Sequence, residues 1–262
     1  MMQIKMSKYI QKKELKFIQY LFLFILLFIS FSHDLHAQTK RNIIQFKNNL
    51  SFFEGNVNKL DVLSQLNYEH QDSMSEFSSS YRIFYGELNN HKNNLEHQAF
   101  VNYDYNYKSI LSPFIGVSSF SNEFKGFKLR NNILVGFKWL LHHSSSTTFS
   151  ISSAITGEHN IFTSSPLNAV GSRSETYLFR YSFRPKLKLT FSKLELLNET
   201  FFQPSTLSLK DYIIQSRTDI NFNIIKKVAL LVSYIYFYNN QPAFSTLRKR
   251  DQKLMIGIEF KI

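Results

Sequence analysis

Residues Leu95–Lys108 read LEHQAFVNYDYNYK, and they alternate. Leu95, His97, Ala99, Val101, Tyr103, Tyr105 and Tyr107 fall on one parity, and Glu96, Gln98, Phe100, Asn102, Asp104 and Asn106 on the other. Successive side chains of a strand point to opposite faces, so this spacing predicts a strand with one apolar, aromatic face and one polar face. In a water-soluble sheet the apolar face meets a core. In a membrane barrel it meets lipid, and the polar face lines the interior. The rest of the chain decides between the two.

The N-terminus carries Lys5, Lys8, Lys12, Lys13 and Lys16, then the apolar run YLFLFILLFISF from Tyr20 to Phe31. That run fits the apolar region of a signal peptide and falls short of the ~20 residues a spanning helix needs. The small residue Ala37 offers a cleavage point, so residues 1–37 are read as a signal peptide and 38–262 as one exported domain. With no cysteine, the chain makes no disulfide, thiolate metal site or cysteine-linked lipid anchor. The net charge is +12; the leader's five lysines against Glu14 and Asp34 account for three, leaving +9 for the remainder. An exported chain of that charge meets anionic lipid headgroups or lipopolysaccharide rather than nucleic acid.

From Arg41 onward the chain reads as strand-like segments broken by polar clusters, with no helical periodicity. Leu129, Ile133, Val135, Phe137 and Trp139 share a parity in LRNNILVGFKW. In TYLFRYSFRPKLKL, Tyr177, Phe179, Tyr181 and Phe183 oppose Arg180, Ser182 and Arg184. In DYIIQSRTDINFNI, Tyr212, Ile214, Ile220, Phe222 and Ile224 oppose Gln215, Arg217, Asp219, Asn221 and Asn223. About twelve strands result, with ten as the alternative. Pro185 removes a ladder hydrogen bond, which predicts a bulge or irregularity there.

The connections sort by length. Alternate ones read as long (86–94, 159–175, 203–210 and 239–250), while QDSM, KSIL, LHHSSST, TFSK and IIKK are short. Long loops on one side and tight turns on the other are the pattern of an outer-membrane barrel. The fold expected is therefore all-β: a single antiparallel transmembrane β-barrel in the cell outer membrane. Tyr103, Tyr105, Tyr107, Tyr177, Phe179, Tyr181 and Phe183 then face lipid, where a ring rests in the interface and a hydroxyl reaches water.

Three Glu-His dipeptides, Glu69-His70, Glu96-His97 and Glu158-His159, invite a metal reading. Neighbours on a strand point to opposite faces, so one pair does not chelate a single ion. His143 and Ser145 have a spacing that could serve a lipid hydrolase, but no carboxylate stands near to orient the histidine, and a polar turn is the better reading. The inward charges say more. Parity favours Lys188 opposite Glu195 and Arg184 opposite Glu199, with Arg217 on the far side of Glu199. Such cross-strand pairs contribute about 0.2–1 kcal/mol each, and a ladder of them would plug a narrow barrel. The same residues around a wider lumen would select anions. At the far side, Arg248, Lys249 and Arg250 form a basic cluster suited to an anionic partner.

The C-terminal third, ETFFQPSTLSLKDYIIQSRTDINFNI with SYIYFYNNQP, LRKRD and LMIGIEF, resembles the salt-induced outer-membrane protein family, a largely uncharacterised family of barrels. The Gly55-Asn56 turn before an alternating strand is similar too. The resemblance implies a monomeric barrel delivered by the outer-membrane assembly machinery, with no catalytic residues and no cofactor. Expected functions are a non-enzymatic structural or envelope-stress role with a plugged lumen or, alternatively, a narrow channel for small solutes.

Overall fold

The computed structural model describes residues 41–53, 58–163, 175–242 and 248–262. The expected leader and its cleavage at Ala37 lie outside the described residues, as does the Gly55-Asn56 turn.

Alternation becomes strand throughout. The elements are β1 (Arg41–Phe53), β2 (Lys59–Gln71), β3 (Ser75–Leu88), β4 (His91–Tyr105), β5 (Leu111–Asn122) and β6 (Phe127–His143). They continue as β7 (Thr147–Phe162), β8 (Glu175–Thr190), β9 (Leu194–Pro204), β10 (Tyr212–Ile225), β11 (Val228–Asn239) and β12 (Arg250–Lys261). Each strand pairs antiparallel with its sequence neighbours, and β1 closes on β12 from Gln45–Lys261 to Leu50–Ile256. Closure matters physically: a sheet without edges leaves no row of unpaired backbone groups, which hydrocarbon would not tolerate.

The two faces separate as their parity requires. On β6, Ile133, Val135, Phe137 and Trp139 stand exposed on the outside, while Leu134 is buried within. Tyr103, Tyr105, Tyr177, Phe179, Tyr181 and Phe183 are likewise exposed on the outer face, and Asn102 and Asp104 are buried inside. Tyr107 is a correction. β4 stops at Tyr105 because Asn106 adopts a left-handed backbone (φ 51°), which places Tyr107 in the β4–β5 turn and Asn106 in solvent rather than in the lumen.

The connection expected over 86–94 is also shorter than read. β3 and β4 run to Leu88 and from His91, and Asn89 and Asn90, both at positive φ (51° and 62°), make the reversal alone. Asparagine tolerates that region, and tight hairpins demand it. Long connections therefore sit at 163–174, 205–211 and 240–249, on the same end of the barrel; the opposite end has 72–74, 106–110, 144–146, 191–193 and 226–227. In the 72–74 turn, Asp72 accepts from the Met74 and Ser75 amides (2.7 and 2.5 Å) and from Ser75 Oγ (2.7 Å). The hydroxyl and the two amides hold its carboxyl below the usual range.

Pro185 sits within β8 and pairs with Ile151 of β7. Towards β9 the ladder breaks between Phe183–Phe202 and Lys186–Glu199 and resumes in the same register. Two glycines stand where neighbouring backbone comes too close for a Cβ. A Cβ on Gly257 would lie 2.0 Å from the Asn48 carbonyl oxygen, and one on Gly136 2.1 Å from that of Ser153. Backbone on the receiving side cannot move aside as a side chain could, so only glycine fits.

The interior is not uniformly polar. Leu63, Phe84 and Met255 form a buried apolar cluster with Ile235 against it, contributed by β2, β3, β12 and β11.

Candidate functional site

The lumen holds the only concentration of buried charge among the described residues, and its parts come from strands distant in sequence. Lys47 Nζ of β1 pairs with Asp219 Oδ2 of β10 at 3.2 Å and stands 3.9 Å from Glu259 Oε1 of β12. Arg217 Nε donates to Asp219 Oδ1 at 2.8 Å, and its Nη1 crosses to Gln65 Oε1 of β2 at 2.7 Å. Ser233 Oγ donates to the same Asp219 oxygen at 2.8 Å. From Glu259 the network continues to Lys261 (3.6 Å), Glu195 (3.9 Å) and Lys188 (3.1 Å). The side chains at its centre are nearly sealed from solvent: Lys47 is 7 % exposed, Asp219 3 % and Glu259 0 %. Charges so enclosed persist only when paired.

Each residue of the expected ladder is in this lumen, but the pairing differs in detail. Arg184 and Glu199 form an ion pair, as do Lys188 and Glu195. Neither pair is directly opposite. The register sets Lys186 against Glu199 and Thr190 against Glu195, so both contacts run diagonally. Long side chains reach such diagonal neighbours. Arg217 does lie opposite Glu199, yet its guanidinium turns to Asp219 and Gln65 instead. Sequence parity had put Asp219 inside without assigning it a partner. Nothing local in the sequence marks Lys47 or Glu259, which meet only through the β1–β12 closure.

A second group sits nearer the long connections. Arg180, 5 % exposed, forks onto Asp211 (3.1 and 3.2 Å) and stands 3.6 Å from Glu158. Arg130 lies 3.7 Å from Glu158, donates to Asn160 at 2.6 Å and covers the Phe127 ring at 4.0 Å. Lys125, in a short 3₁₀ turn (Glu123–Lys125) between β5 and β6, pairs with Glu96 at 3.0 Å. Its ammonium also reaches to 5.2 Å from the Phe237 ring on β11, six strands away around the barrel. These groups border a cavity of about 340 Å³ in that half of the lumen. Of the basic cluster, Arg248 lines this cavity; Lys249 and Arg250 are exposed, and Arg250 begins β12 opposite Tyr238.

The Glu-His pairs diverge to opposite faces. Glu96 and Glu158 face inward to Lys125 and to the arginines. Outside, His97 meets the Tyr81 hydroxyl at 2.9 Å and His159 stacks on Tyr177 at 4.4 Å. His70 lies 2.6 Å from Asn42. His143 ends β6, exposed, with Nδ1 3.2 Å from Thr148 Oγ1, and Ser145 is exposed in the turn beyond it.

The fold is that of outer-membrane, porin-like barrels. The NanC porin aligns with a TM-score of 0.54 at 10% identity, covering 84% of this chain and 100% of that one. The KdgM porin gives 0.44 at 12% identity, covering 83% and 98%. The translocator domain of the autotransporter NalP from Neisseria meningitidis gives 0.42 at 10% identity, covering 88% and 91%. No curated protein matches significantly. A family assignment does come from the sequence: residues 50–262 match the family described as "Protein of unknown function, DUF481", and the chain belongs to it.

Proposed function

We propose that this protein is a non-enzymatic, monomeric outer-membrane barrel with a structural role in the envelope, its lumen plugged by its own polar side chains. Its leader is removed near Ala37, the assembly machinery inserts it, and its outer aromatic face contacts lipid. Lipopolysaccharide meets the basic residues at the long-connection end. The resemblance to salt-induced outer-membrane proteins extends that structural role to envelope stress.

The observation that carries the proposal is the set of contacts spanning the lumen. Lys47 to Asp219 and Arg217 to Gln65 each join strands that are not neighbours in the barrel, and Lys125, in the turn between β5 and β6, reaches towards Phe237 of β11. Charged side chains thus cross the barrel at two levels, around Asp219 and at Lys125, and so obstruct the path of hydrated ions. The cavity of about 340 Å³ favours a second reading, a narrow channel for small solutes.

Single-channel recording of the purified, heat-modifiable protein in a planar bilayer separates the two. A folded barrel that inserts without discrete current steps is the expected result. Reproducible steps would replace it with the channel reading, and their ion preference would tell whether the lumenal arginines line the path.

A further inference from the structure

The cavity beside Lys125, Arg130 and Arg180 has properties that neither a plug nor a pore requires. Its volume of about 340 Å³ falls at the lower end of the ~300–1,000 Å³ typical of small-molecule sites. It equals roughly ten waters at ~30 Å³ each, the scale of one or two sugar rings.

Its wall combines three kinds of surface. The first is charge already spent internally: Lys125 on Glu96, Arg130 on Glu158, and Arg180 on Asp211. Such pairs leave little net field to hold an ion. The second is amide and hydroxyl surface from Gln98, Asn132, Thr156 and Gln215, groups that both donate and accept. The third is aromatic: Phe120, Phe127 and Phe237 line the same space.

The wall also carries unspent hydrogen-bonding capacity. Asn132 Oδ1 and Thr156 Oγ1 are buried and have no hydrogen-bond partner among the described residues. An unmade buried hydrogen bond is costly, and two bordering one cavity point to an occupant that carries hydroxyls. An apolar occupant would leave them unmet, and a simple anion would find Lys125, Arg130 and Arg180 already paired, with only the exposed Arg248, beside Asp251 on the same wall, left to meet it among the described residues. A molecule with hydroxyl edges and C–H faces answers both the amides and the rings.

We propose that this cavity is a binding site for a neutral saccharide of one or two rings, entering from the long-connection end. The site stands apart from the conductance question: a sealed barrel holds the sugar in a blind pocket, and a conducting one holds it along the path.

Saturation-transfer NMR with maltose tests it on the folded full-length barrel, in a detergent without a sugar headgroup. Maltose is expected to receive saturation, with at least a fivefold loss in Gln215→Ala and in Phe237→Ala. The heat-modifiable gel shift certifies that each variant is folded; should Phe237→Ala fail to fold, Gln215→Ala carries the test. No transfer to maltose above that of empty micelles would overturn the proposal. So would transfer unchanged in a folded variant, which places the sugar elsewhere, or transfer to glucuronate but not to maltose, which makes the site one for anions.

Discussion

Replacing Lys47 with methionine is expected to destabilise the barrel by about 3–5 kcal/mol, the usual cost of removing one partner of a buried ion pair. The size follows from what the substitution strands. Glu259 is fully enclosed, neither of its carboxylate oxygens has a hydrogen-bond partner among the described residues, and the nearest cations are Lys261 at 3.6 Å and Lys47 at 3.9 Å. Asp219 loses one cation but keeps Arg217 and Ser233. Most of the penalty therefore falls on Glu259. A companion variant, Lys47→Met with Glu259→Leu, removes the stranded carboxylate and is expected to recover most of the loss, because apolar replacement of a buried pair is often neutral. Urea unfolding in lipid vesicles, followed by the heat-modifiable gel shift, measures both. Equal stability of Lys47→Met and the parent would mean that the network contributes nothing to the fold.

The second large effect lies on the other face. Val135 is 57 % exposed, and its cross-strand neighbours Ile115 and Ile155 are similarly exposed. In water an arginine at such a position would change stability by no more than about 0.5 kcal/mol. On the lipid face near the middle of a barrel strand it costs about 2–4 kcal/mol. Val135→Arg is thus expected to weaken the barrel by that amount, while Leu207→Arg, in the 205–211 connection and 82 % exposed, should do little. The same urea titration reads both. Equal tolerance at the two positions would mean that the outer face meets water.

Much of this architecture was legible because a strand's period of two is local. Parity alone placed Val135 outside and Arg217 inside, and the strand count followed from the turn clusters. Backbone conformation at single residues was harder to read. Asn89, Asn90 and Asn106 all adopt left-handed geometry, which shortened one expected loop and ended β4 before Tyr107. An asparagine permits that conformation without announcing it. Side-chain reach was also hidden: parity found Arg184 with Glu199, but the diagonal offset depends on a register the sequence does not state. Closure was least visible. Lys47 and Glu259 are separated by most of the chain and meet only because β1 joins β12. The apolar lumenal cluster of Leu63, Phe84 and Met255 arises in the same way, from single apolar residues on otherwise polar parities.

The central claim is that the aromatic face is wet by lipid and the polar face is enclosed. Trp139, the chain's one tryptophan, reports on it without any substitution. It stands exposed on the outer face of β6, near the end with the short turns. With the barrel folded into phospholipid vesicles, its fluorescence should be blue-shifted. Bromine near the headgroup end of the acyl chains should quench it more than bromine at the bilayer centre. Red-shifted emission, quenched by aqueous iodide and indifferent to brominated lipid, would contradict the account.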